Sequence, residues 1–560
     1  MEDRSQRRGL LSASPGPSGA AFYGLAAALA IASLARTRAF FHDDAYITLR
    51  YAQSFLAGKG LVWSEGNYVE GFTHPLWLLQ LLPLGALGLD LETAARALGV
   101  AYLAGLFVLW IASRARAELL LLVVTLHGVI LWTNGGLELP GFAFWLVAGS
   151  WQALAAERAA RQGDAQAARR GAAAGLCFAA AALMRPEGAA CGLLALLFVA
   201  LARDRRASVA MTLTLVLPLL AWLEFRLLYY GDWLPNTARA KIGGLPLAEQ
   251  LRAGLAYLWK VRGEWLPAFA FATAVLARRR ERRALAAAAF ALPVFAGLLL
   301  GGGDHMPGAR LVLPAVVLLL FAAALPGART LPGPALRSAV VLLALWQALP
   351  TFLEVTRNDR AAEAGRTLGR ILEQQLPPGT LIAAATAGSI PYFAPSLRFI
   401  DTLGLNDRAI AARRAPLGRT LWQAIPGHTK GWGEYVLQLR PEVILLGPVG
   451  GTLGLEFRSW FLSDYELVLH PAFYARYTPW VFGLRREPDG SVHAGGLLYL
   501  RNDAPLPRLR PEGQPLEHPY PGPPDPEAIA LEDLRPIRDQ PPEVPLRRPL
   551  WLLRRHFAGA

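Results

Sequence analysis

Charge is scarce in these 560 residues: 18% are Asp, Glu, Lys or Arg against 54% hydrophobic, and the mean hydropathy is +0.31. Soluble domains carry about a quarter charged residues, so a wholly soluble globular enzyme is excluded and most of the chain is expected to face lipid or other helices. Lysine is nearly absent, occurring only at Lys59, Lys241, Lys260 and Lys430, so the formal charge of +14 rests on arginine. The arginines cluster in short segments between apolar runs, as membrane-protein loops do, and no basic stripe with interleaved aromatics marks a nucleic-acid partner. Cysteine is limited to Cys177 and Cys191, both inside apolar runs, which excludes a disulfide framework and a zinc site. Heptads and solenoid repeats are absent. A small-residue cleavage site is also missing: the first apolar run, 19–35, leads into Arg36-Thr37-Arg38, so it reads as an anchor behind a basic tail from Arg4 to Arg8.

What is present is a series of apolar runs. A spanning helix needs about 20 mostly apolar residues, or fewer where neighbours bury its ends. Candidates are 19–37, 93–113, 117–134, 139–156, 171–184, 188–203, 208–228, 264–278, 284–301, 308–326 and 335–353. Arginine-bearing loops alternate with the rest, at 114–116, 157–170, 203–206, 278–283 and 329–337, and the positive-inside rule makes them cytoplasmic. Counting 75–89 as a span would put those loops on the wrong side, so it is expected to be juxtamembrane or re-entrant. The alternative is that it spans and that 171–184 or 264–278 does not. The expectation is a polytopic α-helical bundle of about eleven spans, with residues 1–18 as a cytoplasmic tail, 19–353 as the membrane module and 38–92 as its first outer loop. Residues 354–502 are expected to form a soluble α/β domain outside, with a helix over 359–376 and strands over 380–385 and 442–446. Residues 503–560 are Pro-rich and too polar to bury a core, so an extended tail is expected.

The unusual polar residues fall on one side of this topology. Ionisable groups at or within a membrane are costly, and they usually mark function. The outer loops hold His42, Asp43, Asp44, Glu70, His74, Glu138, Arg185, Glu187, Asp232, Asn236, Arg239, Asp304, His305 and Arg310, whereas the other loops hold little but arginine. The adjacent carboxylates Asp43 and Asp44 suit acid/base or metal chemistry, with one taking a proton while its neighbour orients a partner. Either is equally suited to capping the helix that carries Ile47 and Tyr51. Arg185, Arg239 and Arg310 have the geometry to grip a phosphate bidentately, or they snorkel at helix ends. His42, His74 and His305 are metal ligands or hydrogen-bonded structural residues. Glu70, Glu138 and Glu187 shape a pocket or pair with the arginines, and Trp63, Phe72, Trp77 and Trp233 stack on a ligand or form an interfacial belt.

The segment Asp43-Asp44-Ala45-Tyr46-Ile47-Thr48-Leu49-Arg50-Tyr51-Ala52, followed by Gly58-Lys59-Gly60-Leu61-Val62-Trp63 and Val69-Glu70-Gly71-Phe72-Thr73, resembles the first periplasmic loop of GT-C glycosyltransferases. It is similar in particular to the terminal β-(1→2) arabinofuranosyltransferase family of actinobacterial cell-wall assembly. Gly136-Leu137-Glu138, Arg185-Pro186-Glu187-Gly188, Tyr230 to Thr237, Gly303 to Arg310 and Asp401 to Asp407 continue the likeness, which covers about 40–450.

The resemblance implies a bacterial inner-membrane enzyme with a polyprenyl-phosphate sugar donor, a periplasmic glycan or glycolipid acceptor and a catalytic Asp43 or Asp44. Tyr46, Arg50 and the polar outer-loop residues named above would surround the substrates. No cofactor follows from it, and a divalent cation is compatible with the Asp pair. Nothing in the residues separates arabinose from another pentose or a hexose. A transporter or flippase of lipid-linked sugars is the alternative from another class, but transporters place ionisable groups at the midplane within related halves. A structural assembly partner that keeps the fold without activity is a third reading, against which the Asp pair counts.

Overall fold

The computed structural model describes residues 17–241, 245–326, 333–353, 359–420, 423, 425, 427–447, 461–482, 485–486, 492–493 and 496–504. The expected tail from 505 and the basic segment before residue 17 lie outside the described residues.

Each of the eleven expected spans is helical. They correspond to α1 (Pro17–Arg36), α4 (Leu91–Ala112), α5 with α6 (Ala117–Thr125, His127–Asn134), α7 (Leu139–Arg161), α8 (Ala167–Met184) and α9 (Glu187–Ala200). After these come α10 (Arg205–Tyr230), α13 (Arg262–Arg279), α14 with α15 (Arg282–Ala289, Leu292–Gly301), α16 (Leu313–Ala324) and α17 (Gly333–Leu353). Six of them, α1, α4, α7, α10, α14 with α15 and α17, are long and apolar enough to cross a membrane, and the pair α5–α6, bent by 65°, would make a seventh. The shorter apolar helices are α9, α16 and α3 (Pro75–Ala86); the last is the segment read from sequence as juxtamembrane. Exposed leucines along α10, such as Leu213, Leu217 and Leu220, face outward as lipid contact requires.

Small residues bring the helices together. A Cβ on Gly171 would lie 2.4 Å from the Ala207 carbonyl oxygen and one on Gly175 2.3 Å from that of Met211, so α8 and α10 pack backbone to backbone. At one end of the bundle the arginine loops meet. Arg283 pairs with Glu157 at 3.2 Å, Arg337 with Glu118 at 3.4 Å, and Arg279 donates to the Ala323 carbonyl at 2.9 Å. The polar loops gather at the other end, where the amphipathic helix α2 (Asp43–Leu56) lies along the bundle, with the short α11 (Asn236–Lys241) and α12 (Leu247–Lys260) further along the chain.

The C-terminal domain sits on that end. It begins with α18 (Arg360–Gln375), capped by Asp359, and holds a mixed sheet in which β1 (Leu381–Ala384) pairs in parallel with β2 (Arg398–Asp401) and β3 (Val443–Ile444). β7 (Gly496–Arg501) then runs antiparallel to β3 and to β4 (Tyr477–Phe482). Between β4 and β7 lies a small hairpin, β5 (Arg485–Arg486) with β6 (Val492–His493). Alternation along the strands divides the sheet's two faces. Ile382, Ala384, Val443, Leu498 and Leu500 join the same apolar cluster as the membrane helices, whereas Ala383, Ile444 and Tyr499 join a separate one with Leu467, Phe473 and Tyr477. One face of the sheet is therefore continuous with the bundle's core.

Overpacking a tight helix contact costs about 1–3 kcal/mol. Gly175→Val is expected to lower the thermal midpoint of the detergent-solubilised protein without changing its membrane insertion, which a thermal shift with a parallel membrane-fraction blot would check.

Candidate active site

Helix α2 begins where its sequence says it should. His42 is the cap residue, its Nδ1 accepting from the Asp44 amide at 3.2 Å, and two acidic residues in the first turn meet the positive end of the helix dipole. Consecutive helical side chains diverge by about 100°, and here the two carboxylates enter different surroundings. Asp43 accepts at Oδ1 from the Ser389 amide at 2.9 Å and from the Ser389 hydroxyl at 2.5 Å, so it faces the C-terminal domain. Burial pushes its carboxyl up to about 7 against these two hydrogen bonds, and the charges of Asp44 and Asp359 add to the rise.

Asp44 lies near basic side chains and makes no side-chain hydrogen bond or salt bridge with a described residue. Burial alone would raise its carboxyl, but His42, Arg310, His305 and Lys241 reverse that, and it lies below the ordinary aspartate value. Arg310 comes from the loop after α15. Its Nε donates to Asp304 Oδ2, and its guanidinium lies 5.3 Å above the Trp132 ring, which packs 5.3 Å from the His42 ring. The Trp132 indole donates to the Pro307 carbonyl at 2.9 Å and holds this loop against α6. Asp304 also accepts the His305 amide at 2.7 Å. Although burial opposes ionisation, Arg310 and His305 hold the Asp304 carboxyl well below the usual range.

A second charged group adjoins the first. Glu138 accepts from Arg185 at 2.9 Å and lies 3.6 Å from His74, whose Nε2 is 2.6 Å from the Thr48 hydroxyl of α2. Arg185 also donates to Glu187 at 3.0 Å. Burial acts to raise the Glu138 carboxyl, and His74, Arg185 and Arg310 overcome it. Lys241, at the end of α11, makes no hydrogen bond or ion pair with a described residue. Burial and then the Arg310 charge hold its ammonium below the usual lysine value.

Of the residues singled out from sequence, Asp304, His305 and Arg310 thus gather near Asp44, and His74, Glu138, Arg185 and Glu187 form the adjoining group. Others lie in joints. Tyr46 donates to Glu92 at 2.7 Å and accepts from Arg366 at 2.7 Å, and Arg50 donates to the Trp63 and Leu397 carbonyls at 3.1 and 3.2 Å. Glu70 pairs with Arg226 and accepts from Trp222 at 3.2 Å. Asn236 donates to the carbonyls of Gly404, Leu405 and Asp407. Asp232 and Arg239 bond to each other at 2.5 Å. Sequence reasoning missed Lys241, Trp132, Asp359, Ser389 and His428, whose ring meets that of His305 at 5.1 Å. The scarcity of lysine was the one signal for Lys241. Among the described residues no three His, Cys, Asp or Glu side chains group as metal ligands.

With this geometry in view, comparison with known proteins gives the fold. A family model described as a domain of unknown function (DUF8728) matches residues 354–489, and no curated protein matches. The crystal structure of ArnT from Cupriavidus metallidurans in the apo state superposes with a TM-score of 0.53 at 16% identity, over 86% of this chain and 97% of that one. ArnT from the same organism bound to undecaprenyl phosphate superposes at 0.54 and 16%, over 87% and 98%. Arabinofuranosyltransferase AftD from Mycobacteria gives 0.43 at 14% over 85% of this chain and 41% of that one, too loose an overlap to bear on the sugar. The chain is a multi-pass membrane protein with the GT-C fold. Within that class it shares the whole-chain architecture of ArnT.

An acid whose value is raised on folding stabilises the folded chain at low pH and loses that contribution as pH rises through the folded value. Wild-type stability should therefore fall between 3.8 and about 7 by an amount that Asp43→Asn removes. Thermal midpoints of both proteins across that range check it, and parallel curves would refute it.

Proposed function

We propose that this chain is a glycosyltransferase that moves a sugar from a polyprenyl-phosphate donor to a cell-envelope glycan or glycolipid at the periplasmic face of a bacterial inner membrane, with Asp44 as the base. The observation that carries the reading is the Asp44 carboxylate, which has no hydrogen bond or ion pair among the described residues, near Arg310 and Lys241, with Arg185 beside them. Arg310, Lys241 and Arg185 repel one another; Asp304 pairs with Arg310, and Glu138 and Glu187 with Arg185, which leaves Lys241 without an ion pair among the described residues. A phosphate group is the ligand that such an arrangement favours. The likeness to ArnT, which has been crystallised with undecaprenyl phosphate, supports a lipid-phosphate ligand.

In the reaction, the acceptor hydroxyl oxygen attacks the anomeric carbon and gives its proton to Asp44. The bond from that carbon to the donor phosphate oxygen breaks, and the lipid phosphate leaves with the electron pair. Lys241, Arg310 and Arg185 stabilise the charge it gains. A carboxylate held below its usual value is a weak base. Once the donor phosphate sits among the same cations it screens them, and the proton affinity of Asp44 rises when a base is needed.

The test is transfer of radiolabelled sugar from a panel of polyprenyl-phosphate sugars, beginning with arabinofuranose, by membranes carrying wild type or variants. Asp44→Asn is expected to lose about 10²- to 10⁴-fold in rate. Lys241→Gln is expected to weaken donor binding roughly 10- to 100-fold. The acid limb of kcat/KM should lie below the ordinary carboxylate range, because Asp44 stays ionised there in the free protein. Absence of transfer from every donor, with lipid-linked sugar crossing the bilayer instead, would replace this reading by the transporter.

A further inference from the structure

The domain spanned by the family match at 354–489 makes several polar contacts with the first turn of α2, the turn that carries Asp44. Asp359 caps two helices at once. Its Oδ1 accepts from the Ala361 amide at 3.1 Å, starting α18, and its Oδ2 accepts from the Asp43 amide at 2.9 Å, satisfying a backbone donor that α2 cannot pair internally. The same Oδ2 lies 3.7 Å from His42 Nε2, while the other nitrogen of that ring accepts the Asp44 amide.

Ser389 closes the arrangement, giving both its amide and its hydroxyl to Asp43 Oδ1, with the hydroxyl also 3.3 Å from the Ala361 carbonyl. Gly388 makes room for it. A Cβ there would lie 2.1 Å from the Asp43 carbonyl oxygen and 2.5 Å from its Oδ2, distances no side chain tolerates. Ser389 acts on Asp44 only through Asp43: because the two are consecutive in one helical turn, holding residue 43 by its amide and its carboxylate holds the backbone from which the Asp44 side chain departs.

We infer that the C-terminal domain is a positioning device for the base, in which Gly388, Ser389 and Asp359 clamp the first turn of α2 and thereby aim Asp44 into the cations. The inference rests on the reading of Asp44 given above. Ser389 and Asp359 act here as positioning residues, reaching the reacting atoms only through α2. The domain then has a mechanical role in transfer besides any contact with the acceptor.

The test uses the full chain. Ser389→Ala is expected to lower kcat about 10-fold with the donor KM unchanged, and to move the acid limb of kcat/KM upward, because Asp44 relaxes away from the cations that hold its proton affinity down. Gly388→Ala, which displaces the same carboxylate, should act in the same direction. Hydrogen exchange at the amides of residues 43–45 should quicken in both variants while exchange in α4 and α7 stays at wild-type rates. A fall in activity that merely follows the amount of folded protein, with the acid limb unmoved, would overturn the clamp. Unchanged exchange at residues 43–45 would overturn it as well. A wild type that transfers no sugar would instead remove the base reading, and the exchange measurement would still decide whether the clamp exists.

Discussion

Everything at the polar end of the bundle depends on one lysine, Lys241, and one carboxylate, Asp44, that have no ion-pair partner among the described residues. Arg310 and Arg185 are each tied to carboxylates, Arg310 to Asp304 and Arg185 to Glu138 and Glu187, but Lys241 has no such partner among the described residues and Asp44 is unbonded. Bringing cations together away from bulk water costs free energy, and a fold tolerates that cost where an anionic ligand later offsets it. The supporting parts make sense in this light. Trp132 carries Arg310 on its ring, and the Arg310 loop is sewn to α6 by the Trp132 indole.

The two adjacent aspartates divide their labour by geometry. A helix start offers its first-turn side chains in directions about 100° apart, and the protein uses one direction for assembly and the other for the site. Burial and Ser389 surround Asp43, so it acts as the joint between the C-terminal domain and the bundle. The apolar face of the sheet that continues the membrane core reinforces that joint from below, since Ile382, Val443 and Leu498 share a cluster with the helices.

The helices were legible because lipid imposes a length and a composition, and the eleven apolar runs became helices at nearly the boundaries read from sequence. The breaks within 117–134 and 284–301 were not, since a bend at Leu126 or an interruption at Phe290 and Ala291 is set by packing and leaves the apolar run unbroken. The short strands β1 and β3 were legible from their apolar runs, but β2, β4 and β7 were not, because their pairing is decided by partners distant in the chain.

At the site, the polar outer loops singled out residues that the fold brings to one end of the molecule, His74, Glu138, Arg185, Glu187, Asp304, His305 and Arg310 among them. They did not separate those from Tyr46, Arg50, Glu70 and Asn236, which bind loops and domains to one another. A buried Arg or Asn on a joint has the same sequence signature as one awaiting a ligand, and only its partners distinguish the two. Ser389 and Asp359 carried no signal at all, because a serine after glycine and an aspartate before a helix are common in any soluble domain.

The near-replacement of lysine by arginine acquires a reason at the opposite end of the bundle. Basic loops orient a nascent chain as it enters the membrane, and any cation serves for that. In the folded protein, however, the Arg279 guanidinium is only 4% exposed, donating from one nitrogen to the last turn of α16 at Ala323 and from another to Glu281. Its planar fork serves two acceptors in different directions, which a single ammonium does less well. An arginine in such a loop is thus also a latch between neighbouring helices, and a lysine in its place would leave one of the two acceptors unmet.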